Sequence, residues 1–369
     1  SDMQPDYGTF DFGKASRVPI DYYESLADIR KPRPGDIVYS VVGSFGIPIL
    51  VKTAEPFVFQ RHIAILRPNR DWILPEYLYY LMASRQFYAW ADSAALGAAQ
   101  RTITLNSLRN KDIALPALEK QAEIVSAVQP LDHLIENNRK QIKLLEEAAQ
   151  RLYKEWFVDL RFPGHEDTEI DPETGLPEGW ERKRLGELAD YISRGVAPKY
   201  ADESDWHVLG QTCIRNNLVL LENSRKLAPI NDLNKVIRFG DVLINSTGVG
   251  SLGRTAQVWF NPENITVDSH VTIVRDTSAL YSFYLGLWAF SNEQLIESLH
   301  TGSTGQTELP KDRLASIRLL KPPSNILLKL NAIVKPLVAE ILAKQNLIAS
   351  LSEARNRLLP RLMEGEIEL

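Results

Sequence analysis

The sequence predicts an α+β fold. Two similar mixed α/β arms are separated by two long antiparallel helices that form a coiled-coil rod, and an internal pseudo-twofold repeat relates the halves. Three observations predict it. Short sequence blocks recur at a near-constant offset, two heptad stripes recur at the same offset, and a turn-rich acidic stretch separates the copies.

The arms come first in each copy. Pro34-Gly35-Asp36-Ile37-Val38-Tyr39-Ser40 returns as Phe239-Gly240-Asp241-Val242-Leu243-Ile244-Asn245, in both cases a Gly-Asp turn feeding an apolar strand. Gly43-Ser44-Phe45-Gly46 returns as Gly250-Ser251-Leu252-Gly253. QRHIAILRP (60–68) returns as DSHVTIVRD (268–276), with His62 against His270. Gly97-Ala98-Ala99-Gln100-Arg101-Thr102 returns as Gly302-Ser303-Thr304-Gly305-Gln306-Thr307. The offset stays between 205 and 208 residues. Any one block is a common turn before a strand, but the ordered set marks a duplication.

The helices follow. Leu131, Ile135, Asn138, Ile142, Leu145, Ala149, Leu152 and Trp156 alternate spacings of four and three, the seam of a coiled coil. Adding 206 gives Leu337, Ile341, Lys344, Ile348, Leu351, Arg355, Leu358 and Leu362. Two stripes at one phase favour helices packed on each other, with Asn138, Lys344 and Arg355 setting register or lying near frayed ends. Pro130 and Pro336 coincide at the same offset, so each helix is expected to bend or restart there. A seam of about 30 residues at 1.5 Å each spans about 45 Å. One turn of B-DNA spans about 34–36 Å. Segments 1–116, 117–160, 161–175, 176–323 and 324–369 are thus first arm, first helix, linker, second arm and second helix.

Composition sets bounds. The chain has 369 residues, 44% hydrophobic and 24% charged, which is ordinary for a globular protein with two cores. No apolar run is long enough to span a bilayer and no signal pattern opens the chain. Cys213 is the single cysteine, which excludes an intrachain disulfide and a zinc cluster of cysteines and suits a reducing cytoplasm. The chain opens Ser-Asp-Met, so a cut N-terminus is expected. Net charge is −5, but residues 161–175 hold one Arg against five acids, and residues 1–116 hold 13 Lys+Arg against 12 Asp+Glu. A near-neutral body permits DNA binding without arguing for it, and partners would supply phosphate contacts.

LPEGWERKRLGELADYISRG (176–195), IALPALEKQAEIVSAV (113–128) and LLEEAAQRLYKEWFVDLRFPG (144–164) resemble the opening of a target-recognition domain and the two ends of the conserved helix in specificity subunits of Type I restriction–modification enzymes. The resemblance covers nearly the whole chain. Two departures stand out. The first arm has only 34 residues before Gly35 and lacks the Trp-containing opening of the second, and the second helix starts with Lys321-Pro322-Pro323-Ser324-Asn325 in place of the leucine–proline, glutamate–glutamine pattern. The resemblance implies double-stranded DNA read as a bipartite site, one half per target-recognition domain. It also implies two methyltransferase subunits on the helices and restriction/translocase subunits beyond them. S-adenosylmethionine, ATP and magnesium would belong to those partners and none to this chain.

No catalytic constellation is visible: there is no Gly-x-Ser-x-Gly, no phosphate loop, no paired histidines and no metal set. Base-reading candidates are polar side chains on loops. Arg61, Gln100, Arg101, Asn245, Arg254 and Gln306 can make bidentate contacts to guanine or adenine. Ser44, Thr102, Ser251 and Thr307 suit phosphates beside glycines. Lys14 and Arg17 are weaker candidates, and His62 and His270 are either satisfied strand-end histidines or DNA contacts. Trp156, Phe157, Leu359 and Met363 are either anchors for a methyltransferase or packing within the rod. A non-DNA protein-interaction scaffold with duplicated arms is the other reading that the near-neutral charge leaves open.

Overall fold

The computed structural model describes residues 3–4, 9–10, 12, 15–43, 45–97, 101–302 and 307–367. They divide into two compact units, Ser1–Arg139 with Asn346–Leu369, and Lys140–Gln345.

In the first unit, β1 (Ile37–Ser40) is the centre of a three-stranded antiparallel sheet, with β2 (Pro48–Leu50) on one side and β3 (Ile63–Leu66) on the other. Helices α1 (Pro75–Ala83) and α2 (Arg85–Ala94) follow, then a short α3 (Leu105–Arg109). Ser84 starts α2 by accepting from the Phe87 backbone at 3.1 Å, and Thr104 starts α3 by accepting from Ser107 at 3.0 Å. Ile37, Tyr39, Tyr77, Met82 and Phe87 fill the core between sheet and helices. Fully burying side chains of this size stabilises by roughly 1.5–3 kcal/mol each.

The second unit repeats this plan on a larger sheet. Its central strand is flanked by two partners equivalent to those of β1, and one further strand is added: β4 (Tyr191–Arg194). A second sheet is built from β5 (Trp206–Leu209), β6 (Arg225–Leu227) and a later strand, Ile265–Val267. The main sheet continues with β7 (Val242–Asn245), β8 (Thr255–Gln257) and, after β9 (Ile265–Val267), β10 (Val271–Arg275). Ile37 faces Leu50 and Leu66, as Val242 faces Gln257 and Val274, so the two sheets share one register. β7 and β10 are buried at every position, the polar Asn245, Thr272 and Arg275 included. Helices α5 (Ser282–Ser291), α6 (Glu293–Ser298) and α7 (Lys311–Ala315) stand where α1 to α3 stand in the first unit.

The long helices are α4 (Leu118–Tyr153) and α8 (Ser324–Met363). In the first unit Ile124, Val125 and Val128 of α4 share a core with Leu359 and Leu362 of α8. In the second, Ala149 and Tyr153 share one with Leu330, Val338 and Ile341. The beginning of each helix packs with the end of the other, as in an antiparallel pair. None of the sixteen seam positions is exposed; Ile135, Asn138, Ala149, Trp156, Ile341 and Leu362 are buried outright. The polar seam residues behave differently from one another. Arg355 crosses to Asp132 of α4 at 2.8 Å, whereas Asn138 donates to Leu134 and Lys344 pairs with Glu340, both on their own helix. Only Arg355 therefore makes a register-setting contact among the three.

Two expectations are corrected. Neither helix restarts at Pro130 or Pro336; helical structure is continuous through both, because one missing hydrogen bond is outweighed by packing on either side. Trp156, Phe157 and Leu359 are 5%, 4% and 7% exposed, and Met363 packs against the first core, so these four are internal packing and not a docking surface. A π-helical turn at Lys154–Val158 rotates Trp156 and Phe157 inward together. The apolar side chains that α4 and α8 leave exposed are Leu134, Leu144, Leu328, Ile333 and Leu347.

The departure at the second helix start has a structural counterpart. Gln121 is fully buried: its Oε1 accepts from Leu74 at 2.9 Å, and its Nε2 donates to the carbonyls of Trp72 and Pro116, each at 2.9 Å. It satisfies three backbone groups that join α4 to the loop before α1. At the offset of 206 the second copy has Leu327, fully buried in an apolar core.

Candidate nucleic-acid interface

Each arm carries the same construction beyond the end of its central strand. In the second arm Ser246 donates its backbone N–H to His270 at 2.8 Å and accepts from Leu309 at 2.7 Å. Thr247 then bridges to Glu308, and Glu308 exchanges two backbone hydrogen bonds with Thr301 at 2.8 and 2.9 Å, an antiparallel pair that forms the stem of a hairpin. In the first arm Val41 donates to His62 at 2.9 Å and accepts from Ile103 at 2.9 Å. Val42 bridges to Thr102, and Thr102 exchanges two bonds with Leu96 at 2.8 and 2.9 Å, the equivalent antiparallel stem. Strand end, histidine-bearing turn and hairpin thus form one unit of structure, built twice.

The second copy holds a polar network. Gln211 donates through Nε2 to Thr247 Oγ1, and Thr247 Oγ1 lies 2.9 Å from His270 Nδ1. Asn245 Nδ2 donates to the Gln211 carbonyl at 3.2 Å, while its Oδ1, wholly buried, has no partner among the described residues. The Asp268 carboxylate accepts from the His270 backbone at 2.8 Å, and burial pushes that carboxyl up despite this contact. The glycine loop closes over the network. Gly248 has φ +97°, and a Cβ there would lie 2.5 Å from Ser251 Oγ and 2.6 Å from Gln211 Oε1, so only glycine fits. Beside the hairpin, Arg194 pairs with Glu308 at 2.7 Å and donates to the Leu309 carbonyl at 2.9 Å.

The sequence-predicted residues divide into three groups. Ser44, Gln100, Gln306 and Lys14 lie outside the described residues. Arg61 and Arg17 are exposed, His270 is exposed, and Arg254, Ser251, Thr307 and His62 are half-buried. The Arg254 guanidinium has no partner among the described residues; the Ser251 hydroxyl points back to the Thr247 and Gly248 carbonyls, each at 3.4 Å. Thr102 is committed through its backbone to closing the hairpin.

One candidate is corrected. Asn245 is 0% exposed; it ends a strand and supports the Gln211 loop, so it is not a loop side chain able to reach a base edge. Arg101 is paired with Asp92 and lies over the Phe45 ring at 5.4 Å, with its side chain 42% exposed. Gln211 and Thr247 were not among the candidates. Thr247 follows the second Gly-Asp block by two residues and could have been found by extending it; Gln211 lies outside every repeated block. Among the described residues no cluster of His, Cys, Asp or Glu could hold a metal ion, and no helix is long and apolar enough to cross a membrane.

A family model described as Type I restriction modification DNA specificity domain matches residues 6–147 and 177–352, one match for each copy. The chain is 28% identical over 316 residues to the Type I restriction enzyme MjaIX specificity subunit of Methanocaldococcus jannaschii, covering 81% of this chain and 71% of that one. It is 22% identical over 408 residues to the HindI specificity subunit of Haemophilus influenzae, covering 91% and 87%. The fold is similar to the crystal structure of a Type I restriction–modification system S subunit from M. genitalium, with a TM-score of 0.50 at 16% identity, over 89% of this chain and 83% of that one.

Proposed function

The chain belongs to the Type I restriction modification DNA specificity family, and on that premise we propose that each of its arms reads one half of a bipartite double-stranded DNA site. DNA-sequence recognition is the role of the subunit as a whole. The observation that supports the two-reader form is the doubled construction of strand end, histidine turn and hairpin, with Val42, Thr102 and Leu96 in one copy and Thr247, Glu308 and Thr301 in the other. Two similar readers on one chain suit a split target better than a contiguous one.

The finer assignments follow from this reading. The chain itself is non-catalytic. The helices α4 and α8 set the unread gap and carry the contacts for two methyltransferase subunits, with Leu134, Leu144, Leu328, Ile333 and Leu347 as exposed apolar side chains available for docking. Restriction/translocase subunits complete the enzyme in the cytoplasm. S-adenosylmethionine, ATP and magnesium act on those partners. Within the arms, Arg61 and Arg254 are the cations positioned for base or phosphate contact, with Ser251, Thr307, His62 and Arg17 beside them.

Adenine-methylation mapping in cells that express the chain with its methyltransferase partner tests this. The expected result is a motif in two parts separated by one fixed gap, and no methylation from the chain alone. A contiguous motif, or the same motif without this chain, sinks the reading.

A further inference from the structure

We propose that His270 is a base-reading residue of the second arm, presented to DNA with a hydrogen on Nε2 by the chain Gln211–Thr247–His270, and that the base it reads offers a major-groove acceptor, which excludes cytosine. The proposal rests on the half-site reading above and adds a residue and a chemical selectivity to it.

The direction of the hydrogen bonds carries the argument. The Gln211 amide donates to Thr247 Oγ1. A threonine hydroxyl has one hydrogen, and with Gln211 supplying a donor, that hydrogen is free to go to His270 Nδ1 at 2.9 Å. Nδ1 then accepts, which places the hydrogen of the neutral imidazole on Nε2. The far nitrogen of His270 has no partner among the described residues, and the residue is exposed.

The support behind the ring is stiff. The His270 backbone is held on both sides, its N–H by Asp268 at 2.8 Å and its carbonyl by Ser246 at 2.8 Å. Asn245 holds the Gln211 carbonyl, and the Gln211 side chain packs close against Gly248, where a Cβ would lie 2.6 Å from its Oε1. A satisfied strand-end histidine would not need this: in the first arm His62 provides the same carbonyl bond to Val41 and is half-buried. A positioned N–H donor selects for acceptors. In the major groove guanine presents O6 and N7, adenine N7 and thymine O4 as acceptors, whereas cytosine presents only an amino donor.

The test compares methylation motifs from cells expressing the full chain with its methyltransferase partner. The wild-type motif decides the half-site reading independently, because a two-part motif stands whether or not His270 matters. His270→Ala should relax discrimination against cytosine about 10-fold or more at a single position within one half-site. His270→Gln keeps an N–H donor at similar reach and should retain the native motif. Thr247→Val removes the hydroxyl and frees the ring to carry its hydrogen on Nδ1, so that position should begin to accept C. An unchanged motif in His270→Ala overturns the proposal. So does an unchanged motif with uniformly reduced methylation, which identifies a phosphate contact. If His270→Ala gives no methylation, Thr247→Val decides: altered preference at one position supports the proposal, and an unaltered motif or a second complete loss counts against it.

Discussion

Arg275 grips Asp241 through two parallel hydrogen bonds, Nε to Oδ1 at 2.7 Å and Nη2 to Oδ2 at 2.6 Å, with the side chains only 4% and 1% exposed. The remaining guanidinium donors reach the Asn234 carbonyl at 3.0 Å and the Val236 carbonyl at 2.7 Å, and the carboxylate also accepts from the Arg238 backbone at 2.7 Å. Arg67 and Asp36 repeat the fork in the first arm at 2.9 and 2.8 Å, and Arg33 donates its backbone to Asp36 as Arg238 does to Asp241. The pair ties the turn before the central strand to the end of the strand beside it. Burial pushes the Asp241 carboxyl up, opposed by Arg275; the bond to Asp36 holds Arg67 above the usual guanidinium range.

The two copies should differ in how much they depend on the pair. Asp241→Asn leaves a buried guanidinium without its counter-charge and should destabilise the second unit by about 3–5 kcal/mol. Arg67 is 38% exposed, so water compensates the loss in Asp36→Asn, which should cost about 1–2 kcal/mol. Urea unfolding of the full chain, followed by hydrogen exchange in each sheet, measures both. Equal costs would mean that burial does not set the value.

Glu146 on α4 should make stability pH-dependent. Burial, and then the neighbouring Glu147, push its carboxyl up to about 7 from the ordinary 4.5. Between those values the folded chain holds a proton that the unfolded chain has released, so stability falls as pH rises from 4.5 to 7. One unit corresponds to about 1.4 kcal/mol, and partial solvent access leaves a contribution on the order of 1–2 kcal/mol. Glu146→Gln should therefore unfold at higher urea than the parent at pH 8 and match it near pH 4.5. Parallel pH profiles for the two proteins would contradict this.

The arms should read independently. Arg254→Ala should relax one half-site and Arg61→Ala the other, each by about 1–3 kcal/mol if a direct base contact is lost. A change in the same half-site for both substitutions, seen in the methylation motif, would refute separate readers.

Much of this molecule was legible because periodicity is a local property. The seam from Leu131 to Trp156 and its copy from Leu337 to Leu362 could be read from spacing, since a helix turns by a fixed angle per residue whatever it packs against. The repeated Gly-Asp turns and apolar strands were legible for the same reason.

The candidate site was only partly legible. Asn245 looked like a loop amide because a polar residue ends an apolar run, yet the Gln211 segment folds over it and buries it. Arg101 looked like a free cation, but Asp92 on α2 and Phe45 come to it only through the sheet–helix packing. Pro130 and Pro336 looked like breaks, and the packing around the helices overrides them.

By itself, then, the sequence determined the duplicated plan, the order of arms and helices, and which faces are apolar, because these depend on residue type and spacing along one segment. Only the tertiary structure decided who meets whom: Arg275 with Asp241 across 34 residues, Gln211 with Thr247 across 36, Arg355 with Asp132 across 223. Such pairings depend on the close approach of segments distant in the chain, and a polar side chain carries no local mark of whether its partner will be protein, water or DNA.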